Sequence, residues 1–208
     1  MNTSSRNRSI VAAALAAIVL VIPLARPSAQ QALAVDSARV TIAGTSNVHE
    51  YTATTTTVRV TAAQVGSAAA GPAFWDNVLA PGGMAAFEIA VPAGTLKSGK
   101  DGLDKNMYKA LKVQEHPDIT FRLVRFDFEG QPAGSGRAIG ALTIAGVERE
   151  VALAITTTQA GSKLTVKGRL DLLMTDYGIT PPKAMMGMLK TDPKVTVTFE
   201  TVLVVPLT

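Results

Sequence analysis

The chain has 208 residues, no cysteine, and a formal charge of +4 from 20 Lys and Arg against 16 Asp and Glu. The missing thiols exclude a disulfide scaffold and thiolate metal sites, so stability has to come from an ordinary packed core. Arg6, Arg8 and Arg26 all precede Asp36, the first acidic residue, so beyond residue 34 the charge falls by those three to +1, which gives no clustered basic face for nucleic acid.

Residues 1–34 read as an export leader. Arg6 and Arg8 precede an apolar run from Ile10 to Leu24, which ends near Ala32-Leu33-Ala34, a small-x-small cleavage pattern. The run is shorter than the roughly 20 apolar residues of a spanning helix and contains Pro23, so a retained anchor is the weaker reading. The expected product is one domain from Val35 to Thr208, periplasmic or secreted, with no stable membrane anchor.

Beyond residue 38 apolar and polar residues alternate with period two, which sets one face of a strand against a core. Val40, Ile42 and Gly44 mark a first strand, and Thr54, Thr56, Val58 and Val60 a second, where threonine suits an extended backbone. Ala63 to Gly83 reads as irregular, rich in Ala, Gly and Pro and holding the only tryptophan, Trp75. Phe87, Ile89 and Val91 mark the third strand. A helical stretch follows, in which Leu103, Met107 and Leu111 recur every fourth residue until Pro117 closes it; it should lie as a lid over one end of the sheet structure.

Ile119, Phe121 and Leu123 open the fourth strand, whose apolar phase then shifts to Val124, Phe126 and Phe128, predicting a bulge or a face switch. Leu142 and Ile144 lie in the fifth strand and Val151, Leu153 and Ile155 in the sixth, joined by a hairpin at Ala145-Gly146-Val147-Glu148. The seventh sets Leu164, Val166, Gly168 and Leu170 against Thr165, Lys167, Arg169 and Asp171. Leu172 to Asp192 is a second irregular stretch. The eighth strand runs Val195, Val197 and Phe199 and becomes apolar on both faces through Val205, so a neighbouring strand or a second subunit should bury it. Eight strands with mostly short links form a sandwich or a closed barrel, and closure removes free edges.

Three segments carry a family resemblance. The stretch from Gly102 to Phe121, ending His116-Pro117-Asp118-Ile119-Thr120-Phe121, resembles the helix-to-strand segment of the YceI-like family. Gly140-Ala-Leu-Thr-Ile-Ala-Gly-Val147 is similar to that family's hairpin, and Asp176-Tyr-Gly-Ile179 to its late element, with Met174 where many members carry Arg. The resemblance implies an all-β fold, here an eight-stranded antiparallel lipocalin-like barrel with one helical lid segment, and implies binding of polyisoprenoid chains or similar amphiphiles rather than turnover.

Candidate site residues follow from that interior. Phe87, Phe121, Phe126 and Phe199 are expected to line it, with Met107 reaching in from the lid and Tyr108, Tyr177 and Trp75 at a rim where a polar tip meets water. Met174, Met185, Met186 and Met188 gather in one loop, which either offers an adaptable apolar surface to a long chain or folds down as a plug. His49, at the turn after the first strand, either contacts a ligand's polar end or is a turn residue, and His116 should fix the start of the fourth strand. Inward Gly44, Gly140 and Gly168 either leave a tunnel or relieve backbone crowding.

Catalytic readings fare worse. Gly94 to Lys100 nearly matches a phosphate loop, but Asp101 stands where magnesium needs a hydroxyl. Neither histidine has a metal-ligand spacing, and no base, nucleophile and orienting group form a set, so no enzyme, metal or cofactor is expected. The expected function is an exported binding protein for a polyisoprenoid, quinone-like or fatty chain. The alternative is a secreted stress-response or interaction module with a filled barrel, acting as a homodimer.

Overall fold

The computed structural model describes residues 33–66, 73–128, 134–184 and 188–205. The leader through residue 32, and Met185 and Met186, lie outside the described residues. One antiparallel sheet dominates. In chain order its strands are β1 (Ala34–Ser46), β2 (Glu50–Thr55), β3 (Arg59–Val65), β4 (Met84–Pro92), β5 (Asp118–Phe128), β6 (Ser135–Ile144), β7 (Val147–Ala160), β8 (Lys163–Leu173), the two-residue β9 (Lys183–Ala184) and β10 (Leu189–Val204). The hydrogen-bonded path runs β2-β1-β10-β8-β7-β6-β5-β4-β3, with β9 attached to β10.

The eight-stranded closed barrel is therefore corrected to nine strands in a curled sheet whose edges, β2 and β3, share no ladder. The expected second strand is two strands. At Thr56–Val58 the chain leaves one edge and crosses to the other. The Thr55 hydroxyl accepts the Thr57 N–H at 3.0 Å and hydrogen-bonds the Thr95 hydroxyl at 2.7 Å, so a side chain takes a donor that a continuing ladder would need. This short crossing holds the two edges close, and β1 approaches β3 across the seam. Beside it, Thr54 and Lys97 exchange both backbone hydrogen bonds, at 2.8 and 2.9 Å.

The expected break in the fourth strand is a β-bulge. The β5–β6 register slips between Leu123 and Arg125, leaving Val124 as the extra, exposed residue, while Phe126 and Phe128 return to the inner face. The β6–β7 hairpin closes with Ile144 opposite Val147, and Ala145 and Gly146 have φ of 50° and 80°, the two positive values that a type I′ turn requires. The His116 ring lies against Gly146, where a Cβ would come within 2.5 Å of it. The residue before Pro117 thus anchors the hairpin to the start of β5.

On β8 the alternation holds, and its outward charges are paired: Lys167 with Glu200 at 3.3 Å, Arg169 with Asp171 at 3.2 Å, and Lys163 with Asp36 at 2.8 Å. Such exposed pairs add little stability. They do give the outer face of β8 a charged character, opposite to the apolar residues that it turns inward. β10 lies between β1 and β8, so neighbouring strands of the same chain satisfy its backbone.

Both ends of the curl are covered. Helix α2 (Asp101–Ala110) is the expected lid; Met107, Ala110 and Leu111 pack with Ile42, Leu96, Tyr177 and Ile179. The opposite end holds an unexpected helix, α1 (Phe74–Leu79), in the stretch read as irregular. Phe74, Trp75, Val78 and Leu79 are all buried there with Leu33, Leu164 and Leu203. Hence Trp75 is no rim residue: it is 1% exposed, and its indole N–H donates to the Ser162 carbonyl at 3.2 Å.

Candidate functional site

Strands put the inward side chains at fixed heights, and the two helices close the ends, so what matters is the space left between. An apolar cavity of about 160 Å³ lies on the α1 side, lined by Phe87, Phe121, Phe126, Phe199, Leu153, Val166 and Trp75 among others. Among the described residues, none that lines this compartment is ionisable and none is exposed. A second cavity of about 130 Å³ lies under α2, lined by Leu103, Met107, Leu111, Met174, Ile179 and Val195 together with Tyr51, Asn106, Lys183 and Thr191. Ile42, Ile119, Ile144 and Val197 line both, forming a belt where the compartments meet.

The four expected phenylalanines thus come together in one compartment, and Met107 and Met174 in the other. Tyr177 is corrected: it is 2% exposed and packed beside the second cavity without lining it, its phenol pushed up in pKa by burial and then by Asp176. Met188 is 69% exposed and lines neither cavity. Nor does His49, which is exposed and accepts at its carbonyl from the Ser46 N–H at 3.0 Å and hydroxyl at 2.8 Å, a turn residue. Met174 and Ile179, buried around a 3-10 turn at Met174–Tyr177, make the described part of that loop a cover for the α2 end.

The inward glycines make no tunnel. A Cβ on Gly168 would fall 2.5 Å from Phe199 Cε1, one on Gly140 2.6 Å from Phe121 Cζ, and one on Gly44 2.5 Å from Tyr51 Cζ. Each glycine is a seat for an aromatic ring. Two of these pairs are direct cross-strand partners, Gly168 with Phe199 and Gly44 with Tyr51. Laid flat on the wall in this way, the rings leave the lumen open instead of crossing it.

α2 is held in place by Asp104, which is 4% exposed. Its carboxylate accepts from the Ser98 N–H at 2.8 Å and the Ser98 hydroxyl at 2.6 Å, with the Lys97 ammonium 3.7 Å away. These hydrogen bonds from Ser98, more than Lys97, hold its pKa below the usual carboxylate value against the effect of burial. The Tyr108 hydroxyl donates to the Leu96 carbonyl at 2.6 Å, and Lys97 lies over its ring at 5.2 Å. The stretch that imitates a phosphate loop is therefore the fastening of the lid.

A hollow antiparallel curl with an apolar lumen and a helical lid matches the expectation from the sequence motifs, and the YceI-like domain model matches residues 31–203. The chain belongs to the YceI-like domain family. Solved structures share the fold. Burkholderia cenocepacia BcnA matches at a TM-score of 0.61 with 14% identity, over 79% of this chain and 95% of that one. A polyisoprenoid binding domain from Saccharophagus degradans, implicated in plant cell wall breakdown, matches at 0.61 with 12% identity, over 85% and 100%. The YceI protein of Campylobacter jejuni matches at 0.52 with 12% identity, over 70% and 80%. Comparison with curated proteins gives no match.

Several lining residues of this YceI-like domain escape sequence reasoning. Val58 lies in the crossing between the two edges, and Val78 and Leu79 in α1, so both depend on how the edges and ends are closed. For α1 a signal exists: Phe74, Trp75, Val78 and Leu79 have the i, i+3, i+4 spacing of a buried helical stripe.

Proposed function

We propose that this YceI-like protein is an exported, non-enzymatic carrier or reservoir that holds a long apolar chain, of the polyisoprenoid, quinone-like or fatty type, along its lumen. The observation that carries this reading is the apolar α1-side compartment, whose described lining residues include no ionisable side chain. An engineered cavity of about 150 Å³ with Leu, Ile and Phe walls stays dry and binds benzene. The 160 Å³ compartment matches it in size and in the apolar character of its walls. Burial at about 0.8 kcal/mol per CH₂ lets several methylenes offset the cost of immobilising a ligand. Whole-ligand pockets are commonly about 300–1,000 Å³. A long chain therefore needs both compartments joined through the belt. The Saccharophagus domain named for polyisoprenoid binding supports the ligand class.

Export is part of the proposal, with the cut placed upstream of Leu33. Leu33 is 4% exposed in the α1-side cluster, and Ala34 pairs with Val204, so a cut after Ala34 would remove both contacts. Intact mass of the protein from a periplasmic extract should give a mature chain that still contains Leu33; a chain starting at Val35 would refute that placement. The ligand itself is tested by purifying the protein from its native host and extracting it for mass spectrometry. A stoichiometric prenyl or acyl lipid is expected, and repeated extraction of none would refute the carrier.

A further inference from the structure

Of the four large apolar side chains that stand exposed among the described residues, two share one lip at the α2 end: Val48, 68% exposed, and Met188, 69% exposed. Both are held outward. The Ser46 hydroxyl accepts the Val48 N–H at 3.3 Å and the His49 N–H at 3.1 Å and donates to the His49 carbonyl at 2.8 Å, so Val48 stands at the tip of a fixed turn. Asn47 ties that turn to the start of β10. Its side-chain amide donates to the Met188 carbonyl at 2.8 Å and accepts the Lys190 N–H at 2.8 Å, while its own backbone N–H donates to the Lys190 carbonyl at 3.1 Å. Single exposed apolar residues are ordinary on any surface, whereas a pair fixed on one lip points to contact with an apolar medium.

The charges around the lip select that medium. Lys183 and Lys190 are register partners on β9 and β10, so two ammonium groups leave the same face of one ladder, an arrangement that is unfavourable until an anion joins them. Both are exposed, and neither makes an ion pair among the described residues. Lys105 and Lys109 of α2 add two more exposed cations at this end, again without an ion pair among the described residues. Glu50, Asp101 and Asp192 oppose them, the Asp192 carboxylate also accepting the Lys194 N–H at 2.8 Å. A small positive excess therefore surrounds the two apolar tips. Apolar side chains that project among lysines suit the head-group layer of an anionic bilayer, where the tips reach hydrocarbon and the ammonium groups reach phosphate. The same ribbon carries Pro182, Lys183 and Thr191, which line the α2-side compartment, so contact here sets that compartment against lipid.

We propose that this lip docks the protein on an anionic phospholipid bilayer, with Val48 and Met188 entering between head groups and Lys183 and Lys190 meeting lipid phosphates. The docking goes beyond the carrier reading and needs no ligand in the lumen. The chain has no cysteine, so Val48→Cys and, as a control on the β5 bulge, Val124→Cys each take one environment-sensitive fluorophore. On vesicles of phosphatidylcholine and phosphatidylglycerol in equal parts, emission of the label at position 48 should shift to the blue and that of the label at 124 should not. Leaving out phosphatidylglycerol should weaken vesicle affinity about fivefold, the effect of one net charge at an anionic surface. Lys183→Gln/Lys190→Gln should abolish that preference, and Met188→Ser should lower affinity for both kinds of vesicle while leaving the thermal unfolding midpoint unchanged. A blue shift of both labels, or of neither, overturns the proposal. So does selective displacement by inorganic diphosphate at matched ionic strength, which would assign the lysines to a soluble phosphate. None of these readouts uses the lumen, so their failure leaves the carrier reading standing, and extraction of lipid from the native protein tests that reading separately.

Discussion

At the scale of single residues, the open lumen depends on glycines that give aromatic rings a place on the wall. Gly168→Ala puts a methyl into the Phe199 ring and 2.9 Å from the Ala154 carbonyl, so the ring has to swing into the cavity. Overpacking of this sort costs about 1–3 kcal/mol. Urea unfolding should show that loss, and lipid occupancy should fall with it; unchanged stability would contradict the ring-seat role. Asp104 makes a second residue-scale prediction. Its folded pKa is depressed by the Ser98 hydrogen bonds, so its stabilising effect is present above the ordinary Asp pKa of about 3.9 and is lost as pH falls through the lower folded value. Amide exchange in α2 should therefore rise below about pH 4, ahead of the strands. In Asp104→Asn that acid step should be absent. From sequence, the phenylalanines were legible as lumen residues because period two and apolarity identify an inward strand face. The role of Gly168 was not, since a glycine beneath a ring and a glycine beside a void leave the same letter.

At the scale of elements, period-two patterning located most strands and even the β5 bulge, because burial on one face imposes that spacing and a phase slip shows in it. It failed where tertiary contact overrides local pattern. Thr54, Thr56, Val58 and Val60 alternate as one strand would, yet the Thr55 hydroxyl and the needs of two sheet edges divide it. α1 is only Phe74–Leu79, too short for propensity to reveal, and it forms because its apolar stripe fills an open barrel end. Trp75→Ala should accordingly cost about 3–5 kcal/mol and open that end to water. As the only tryptophan, and one that lines the cavity, Trp75 also serves as a reporter. Its emission should shift when a prenyl chain fills the lumen, and an emission unchanged at saturating ligand would contradict the chain's path past α1.

For the whole molecule, a sheet curled on itself, two end covers and an outer face that carries ion pairs combine into a shell around apolar space. The His116–Phe121 and Gly140–Val147 segments make the family legible in the sequence itself, whereas the volume of the lumen, its division in two and the polar residues under α2 depend on how the chain packs. The belt offers a test of continuity. Ile144→Trp adds bulk where the compartments meet, and should reduce binding of long prenyl chains at least about tenfold while a benzene-sized ligand still enters. The most direct measurement is a crystal structure of the protein purified from its native host without delipidation. Continuous density from beneath α2, through the Ile144 belt, to Trp75 is the predicted result. A lumen that contains only ordered water, or inner side chains that meet across the axis, would contradict the carrier.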